Sequence, residues 1–254
     1  MKLSVSGKGG VGKTTISALL AATLQARGRK VIAIDADPDS NLLACLGYAA
    51  PESVPPLVEL KDLIEERTGV KPGTVGGMFR MNPSVDDLPD RYGVEAGGVR
   101  VLVAGAVKKG GAGCYCPENA LVRTLVSHLL LDDGTDLILD MEAGVEHLSR
   151  GTAGAVDSLL IVVEPGRRSI ETAVRIQRLA AGLGINRISA VGNKVRSDAD
   201  QTFLKENIGE IRLAGCIPHD DRIRRAEIAR TSVVGASPLV EQAVAQIVDG
   251  LAGR

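Results

Sequence analysis

The sequence predicts a doubly wound α/β fold, a mainly parallel sheet with helices on both faces. Three observations lead there. Short runs rich in β-branched and apolar residues recur along the chain, each followed by a stretch of helical character. Several runs are apolar at successive positions, as strands covered on both faces should be. The first run leads into a glycine-rich loop and an apolar helix, the strand–loop–helix order of a phosphate-binding unit.

Lys2 to Ser6 (KLSVS) reads as the first strand. Gly7-Lys8-Gly9-Gly10-Val11-Gly12-Lys13-Thr14-Thr15 matches the spacing G-x-x-x-x-G-K-[ST]. Ile16 to Ala26, rich in Ala and Leu and free of Pro and Gly, is the helix after it. The backbone N–H groups of Gly9, Gly10, Val11 and Gly12 would wrap phosphate oxygens, aided by the helix N-terminus. Lys13 would reach the β- and γ-phosphates, the Thr14 hydroxyl would hold Mg²⁺, and Thr15 would bond the α-phosphate. Lys8 is a second lysine inside the loop and hints that the site is shared between two copies of the chain.

The later strands read 30–34 (KVIAI), 99–104 (VRVLVA), 136–140 (DLILD), 158–163 (SLLIVV), 188–192 (ISAVG) and 211–217 (IRLAGCI), with helices at 118–131, 169–183 and 238–251 among the segments between. Residues 49–98, with six prolines and many glycines, break the rhythm. One helix is expected there, 57–67, and the rest reads as a surface insertion into a single domain spanning 1–254.

Bulk composition narrows the function. With 44% hydrophobic residues the chain can build a core, and with 2% aromatics and no Trp that core is aliphatic. A formal net charge of −1 provides no global field for nucleic acid or an anionic membrane. A strand beginning near Met1 leaves no room for a signal peptide, and no apolar run is long enough to span a bilayer. Four cysteines in 254 residues do not form a disulfide framework. The expectation is a cytoplasmic protein with reduced thiols that engages neither nucleic acid nor membrane.

Two carboxylates leave the second strand at Asp35 and Asp37, two residues apart and therefore on one side of it. Asp37 is the candidate to orient the attacking water, and Asp35 would assist Mg²⁺ through a water. A polar turn built on Pro38 is the plainer alternative. Asp140 ends another apolar strand and is the candidate second Mg²⁺ anchor. Gly144 beyond it would offer a backbone N–H to the γ-phosphate. Glu142 reads as a solvated loop acid. In Asn193-Lys194-Val195-Arg196, Asn193 can bond adenine N6 and N7 together. Arg196 stands where a guanine-reading acid would be, so ATP is chosen over GTP. Pro218, in Ile217-Pro218-His219-Asp220, would close over the base.

The segment Lys108-Lys109-Gly110-Gly111-Ala112-Gly113-Cys114-Tyr115-Cys116-Pro117-Glu118 carries a Cys-x-Cys pair. Cys116 sits at a helix N-cap with Pro117 at the first helical position. A thiol there, near lysines, has its thiolate favoured. Two thiolates cannot close a tetrahedral site, so a two-fold axis would have to supply two more. Zn²⁺ and Ni²⁺ look alike at this level. Small buried thiols are the bland alternative for such a pair, and Cys45, Cys216, His128, His147 and His219 read as structural residues.

The loop GKGGVGKTT with Lys8 resembles the deviant Walker A motif of the ParA/MinD-type ATPases, a group that includes the nitrogenase iron protein, and DADPDSN and DMEAG are similar to segments of the same superfamily. The further segments KKGG-x-x-CYC-x-EN, GVEHL-RGTA and NKVR resemble the nickel-insertion ATPases of carbon monoxide dehydrogenase maturation. The resemblance implies an ATPase in which Lys8 crosses to the partner's phosphates and ATP holds a homodimer. It also implies that Cys114 and Cys116 of two subunits hold one metal ion, Ni²⁺ or Zn²⁺, and that turnover of ATP to ADP loads nickel into carbon monoxide dehydrogenase as client. Lys8, Lys13, Thr14, Asp37 and Asp140 then form the nucleotide machinery.

Two rival readings stay open. An iron–sulfur reductase like the nitrogenase iron protein carries its second cysteine where Gly144 to Ser149 here hold none, which argues against an identical cluster, although four thiolates from two Cys-x-Cys pairs could still bind one. A ParA/MinD-type positioning switch would need a membrane helix or a DNA-binding face, and the C-terminal segment SPLVEQAVAQIVDGLAGR lacks a basic face.

Overall fold

A computed structural model describes residues 1–37, 41–72, 74, 78–105, 116–132, 134–141 and 156–252. The sheet has the order β3-β4-β2-β5-β1-β6-β7-β8. Its strands are β1 (Lys2–Gly7), β2 (Val31–Ala36), β3 (Val94–Ala96), β4 (Val99–Val103), β5 (Asp136–Met141), β6 (Ser158–Val163), β7 (Ile188–Val195) and β8 (Arg212–Pro218). All neighbours pair parallel except β3 and β4. The expected doubly wound architecture is what forms.

The two-residue period of a strand sorts its side chains between two cores. In β2, Ile32, Ile34 and Ala36 enter one core, and Val31 and Ala33 enter the other. In β5, Leu137, Leu139 and Met141 take the first face and Ile138 the second. The second face is covered by α1 (Lys13–Ala26) and by the C-terminal helix Pro238–Ala252. The parity that puts Ala33 and Ile138 against α1 also puts Asp35 and Asp140 on that face. Both are fully buried.

Helices α2 (Leu42–Cys45), α3 (Lys61–Thr68), α4 (Leu88–Tyr92) and α5 (Pro117–Leu131) follow in chain order. Beyond β6 come α6 (Arg167–Leu183), α7 (Asp198–Asn207), α8 (Asp221–Ala229) and α9 (Pro238–Ala252). The helix expected over 57–67 is divided. Leu57–Glu59 is a 3₁₀ turn, and Leu60, at φ −79 and ψ 81, separates it from α3. Pro55 and Pro56 prevent an earlier start, since a residue before proline is pushed out of the helical region. The segment 49–98 also does more than cover the surface: Leu57, Leu63, Ile64, Val85 and Leu88 are buried in the first core. Their apolar area outweighs the proline and glycine content that suggested an exposed excursion.

Strand β3 was not expected. It pairs antiparallel with β4 through the turn Gly97–Gly98, both at positive φ (58° and 78°). Two left-handed residues between strands make the hairpin turn whose twist matches the sheet. Among the described residues no helix is long and apolar enough to cross a membrane.

Candidate functional site

The site lies at the carboxyl ends of the central strands, where β1 runs into the glycine loop. Gly12 stands at φ 93°, and a Cβ built on it would lie 2.5 Å from Asn193 Nδ2. Only glycine satisfies both that conformation and that clearance. The helix begins at Lys13, three residues earlier than the apolar pattern suggested, so Lys13, Thr14 and Thr15 occupy its first turn. Val11 is buried in the second core, leaving its backbone alone to face a ligand. Lys8 is partly exposed, and Gly9 and Gly10 are exposed.

The loop is braced from behind by residues of β7. Asn193 donates an amide hydrogen to the Val11 carbonyl at 2.8 Å, and Lys194 Nζ donates to the Gly10 carbonyl at 2.6 Å. Turning these carbonyls outward leaves the loop N–H groups free to point the other way. The second amide hydrogen of Asn193 and its Oδ1 are the groups that a base would use. Lys194 adopts φ 59°, a left-handed conformation unusual for a residue with a Cβ.

Asp35 and Asp140 face one another across the β2–β5 register, as direct Cα partners. Burial pushes the Asp140 carboxyl up to about 7, and the neighbouring Asp35 charge adds to it. Hydrogen bonds from Thr14 and Ser17 pull the other way; the Ser17 hydroxyl donates to Asp140 Oδ1 at 3.1 Å. Burial likewise raises Asp35 to about 6, opposed by backbone N–H donors of Leu42 at 2.9 Å and Asp37 at 3.2 Å. Among the described residues Asp140 Oδ2 is buried with no hydrogen-bond partner. Such an orphaned oxygen beside a second carboxylate fits a hard divalent cation with oxygen ligands. The Thr14 hydroxyl and Asp140 are the residues that would hold Mg²⁺, with Asp35 behind them.

Lys13 is buried, and its Nζ lies 3.9 Å from Asp37 Oδ2. This places the two predicted residues on one side of the glycine loop. Thr15 and Gly12 open instead onto a cavity of about 570 Å³ whose walls include Asn193, Arg196, Pro218 and His219. Gly12 and Thr15 of the loop thus share a cavity with Asn193 and Pro218, the residues expected at the base. His219, read as a structural residue within the segment Ile217-Pro218-His219-Asp220 expected over the base, also lines its wall.

Cys116 is the N-cap of α5 with Pro117 at its first position, as expected, and is half-buried. Cys114, Gly144, Glu142, His147, Lys108 and Lys109 lie outside the described residues. Among the described residues no group of three or more His, Cys, Asp or Glu could hold a metal ion. Cys45 and Cys216 pack against the cores, and burial pushes the Cys45 thiol up to about 12. That suits inert packing residues.

Three participants were missed from sequence. Ser17 holds Asp140; its place one helical turn after Thr14 was an available signal. Lys194 holds Gly10. Glu227 on α8 accepts from the Thr15 hydroxyl at 2.6 Å across 212 residues of sequence, a juxtaposition without local trace.

Residues 3–233 match the family described as the CobQ/CobB/MinD/ParA nucleotide binding domain. The chain is 45% identical over 240 residues to the carbon monoxide dehydrogenase accessory protein CooC of Rhodospirillum rubrum, covering 94% of this chain and 91% of that one. An uncharacterized ATP-binding protein of Methanocaldococcus jannaschii is 44% identical, over 89% of this chain and 88% of its own length. Among solved structures, the MinD cell division protein of Aquifex aeolicus superposes with a TM-score of 0.68 at 19% identity, covering 99% of this chain and 97% of that one. With the phosphate loop, the paired aspartates and the β7 brace in one site, the chain belongs to the CooC-type ATPases of the CobQ/CobB/MinD/ParA nucleotide-binding family.

Proposed function

We propose that this ATPase is a metallochaperone: a homodimer that holds one metal ion, Ni²⁺ or Zn²⁺, between Cys114 and Cys116 of both subunits, and couples ATP hydrolysis to nickel insertion into carbon monoxide dehydrogenase. The observation that carries this reading is the tie between the nucleotide strand and the segment leading to the cysteines. Ala104 and Gly105, which follow β4, donate their N–H groups to the Asp35 carbonyl at 2.9 and 3.1 Å. The chain that runs on to Cys114 and Cys116 is thus anchored on Asp35 of β2, two residues before Asp37. The similarity to an accessory protein of carbon monoxide dehydrogenase supports the client assignment.

In the working cycle, Lys13 and the loop N–H groups grip the triphosphate while Lys8 reaches the partner subunit's nucleotide and closes the dimer. Asp37 orients the attacking water in line with the γ-phosphate, and the Gly144 N–H stabilises the transferred group. Bound at Thr14 and Asp140, Mg²⁺ supplies neutralisation of phosphate charge, the main need in phosphoryl transfer. The Asn193 amide and Pro218 hold the adenine. Closure brings the two Cys-x-Cys segments together, and hydrolysis relaxes them so that the cargo metal is released.

Metal analysis combined with size-exclusion chromatography, with and without ATP, tests this on wild type and on Cys114→Ser/Cys116→Ser. One metal per dimer, lost in the double variant, is the expected result. Retention of the metal by the double variant overturns the cysteine assignment, and iron with visible colour would replace it with a cluster.

A further inference from the structure

We propose that Glu227 is a positioning residue for hydrolysis, linking occupancy of the phosphate loop to the loop that carries Asp37. The inference rests on the reading of Thr15 as the α-phosphate contact and of Asp37 as the residue that orients water.

A threonine hydroxyl has one proton to donate. Here it goes to Glu227 Oε1. A phosphate oxygen at Thr15 requires the same proton, and two anions facing each other across it repel. Glu227 must therefore withdraw when the α-phosphate arrives. It stands between two cavities: the base cavity, and a second of about 640 Å³ that reaches Thr14, Asp35 and Cys45.

The chain after Glu227 is not free to absorb the change. Arg230 takes a left-handed φ of 52° and closes α8 tightly, and Thr231 N–H returns to the Ala226 carbonyl at 2.9 Å. The next two residues bind α2. Val233, fully buried, donates its N–H to the Cys45 carbonyl at 3.0 Å, and the Ser232 hydroxyl donates to the same carbonyl at 3.3 Å. A Cβ on Gly47 would lie 3.0 Å from Ser232 Cβ, so the contact is close. Cys45 ends the single turn of α2, and Leu42 begins it. Leu42 N–H and Asp37 N–H bind the two oxygens of one carboxylate, Asp35. The contacts thus run from Thr15 through Glu227, Ser232–Val233, α2 and Asp35 to Asp37, outside the glycine loop.

The test measures steady-state ATP hydrolysis and ADP binding on the full chain with Mg²⁺. Glu227→Ala is expected to lower kcat roughly fivefold without weakening ADP binding, because the lost interaction acts on positioning and not on ground-state affinity. Glu227→Gln keeps an acceptor for Thr15 but not the repulsion. Its kcat should return to within about twofold of wild type, and its ADP binding should tighten by about threefold. Ser232→Ala should lower kcat about twofold, and that loss should vanish in the Glu227→Ala background if both act through one chain of contacts. Unchanged kcat in Glu227→Ala, additive losses in the double variant, or weaker ADP binding in both Glu227 variants would each overturn the proposal. The last result would make Glu227 a direct ligand contact. Thr15→Val and Asp37→Asn separate the failures. Weaker ADP binding in Thr15→Val and lower kcat in Asp37→Asn keep those two readings, so a failure then lies with Glu227. An unchanged Thr15→Val or Asp37→Asn removes that residue's reading and the inference with it.

Discussion

Replacing Asp140 by Asn should make the protein more stable above neutral pH while destroying its activity. In the folded chain burial lifts the Asp140 carboxyl from its ordinary 3.8 to about 7. Its ionised form is therefore about 4 kcal/mol less favourable there than in the unfolded chain. The sign follows from proton binding. Between about pH 4 and 7 the folded state retains a proton that the unfolded state has released, so stability falls as pH rises through that window. Below the window both states are protonated and the penalty vanishes. From pH 5 to pH 8 this group alone should remove about 3 kcal/mol from the wild type. The neutral amide of the variant carries no such penalty. Its carbonyl can still accept from Ser17, and its N–H can donate to Asp35. Urea unfolding of both proteins in EDTA at pH 5 and pH 8 checks the argument by difference, so contributions of groups not coupled to Asp140 cancel. The expected stability gap in favour of the variant grows by about 3 kcal/mol between the two pH values. ATP hydrolysis should drop at least about 100-fold, since the residue that would hold the cation is lost. A gap that does not widen with pH, or a wild type that gains stability over this range by as much as the variant, would refute the reasoning.

Further outcomes follow from the same geometry. Gly12→Ala should cost about 1–3 kcal/mol, measured by thermal unfolding, because a Cβ at φ 93° lies 2.5 Å from Asn193 Nδ2 and displaces the brace on Val11. Lys8→Ala should bind nucleotide as a monomer with affinity within about threefold of wild type yet fail to dimerise with ATP; an unchanged ATP-driven dimer in light scattering would exclude a cross-subunit role. Asp37→Asn should lower kcat about 100-fold with little change in KM, as loss of a water-orienting group does. Lys194→Gly relieves about 1 kcal/mol of left-handed strain but releases the Gly10 carbonyl. Its melting temperature should stay near wild type while KM for ATP rises about threefold.

What could be read without coordinates was whatever a local pattern encodes. The glycine loop announces its own conformation, because Gly10 and Gly12 supply the left-handed residues it requires. Asp35 and Asp140 were legible as acids ending apolar strands, and parity put Asp35 and Asp37 on one side. Their mutual distance was not legible. It depends on β2 and β5 being neighbours, which strand order decides and chain order does not. The overlooked elements had weak signatures of another kind. α7 opens with Ser197 accepting from Asp200 N–H, a usable cap, but buries only Leu204. α8 fully buries only Ala226, with Ile223 half-buried, Ile228 exposed and five charged residues among its nine, so its apolar stripe is thin. The Gly97–Gly98 pair was a hairpin signal hidden in a segment already set aside as an insertion.

Those weakly marked helices matter because the strands alone cannot complete the site. The sheet places Asp35 and Asp140 and launches the phosphate loop, but the sheet is a rigid floor. The wall over the cavity beside Thr15 and Asn193 is built in part from the turn after β8 and from α8, which contributes Ile223, Arg224 and Glu227. α8 holds only one buried side chain, so little apolar area fixes it in place. Its C-terminal end is tethered by hydrogen bonds, Glu227 to Thr15 and Ser232–Val233 to Cys45, with the buried Val233 side chain as the apolar anchor beyond it. An element held by a few exchangeable hydrogen bonds can change partners at the small free energy a ligand supplies, where a packed helix such as α1 cannot. The features that made α8 hard to see in the sequence are thus the ones that suit it to respond to nucleotide.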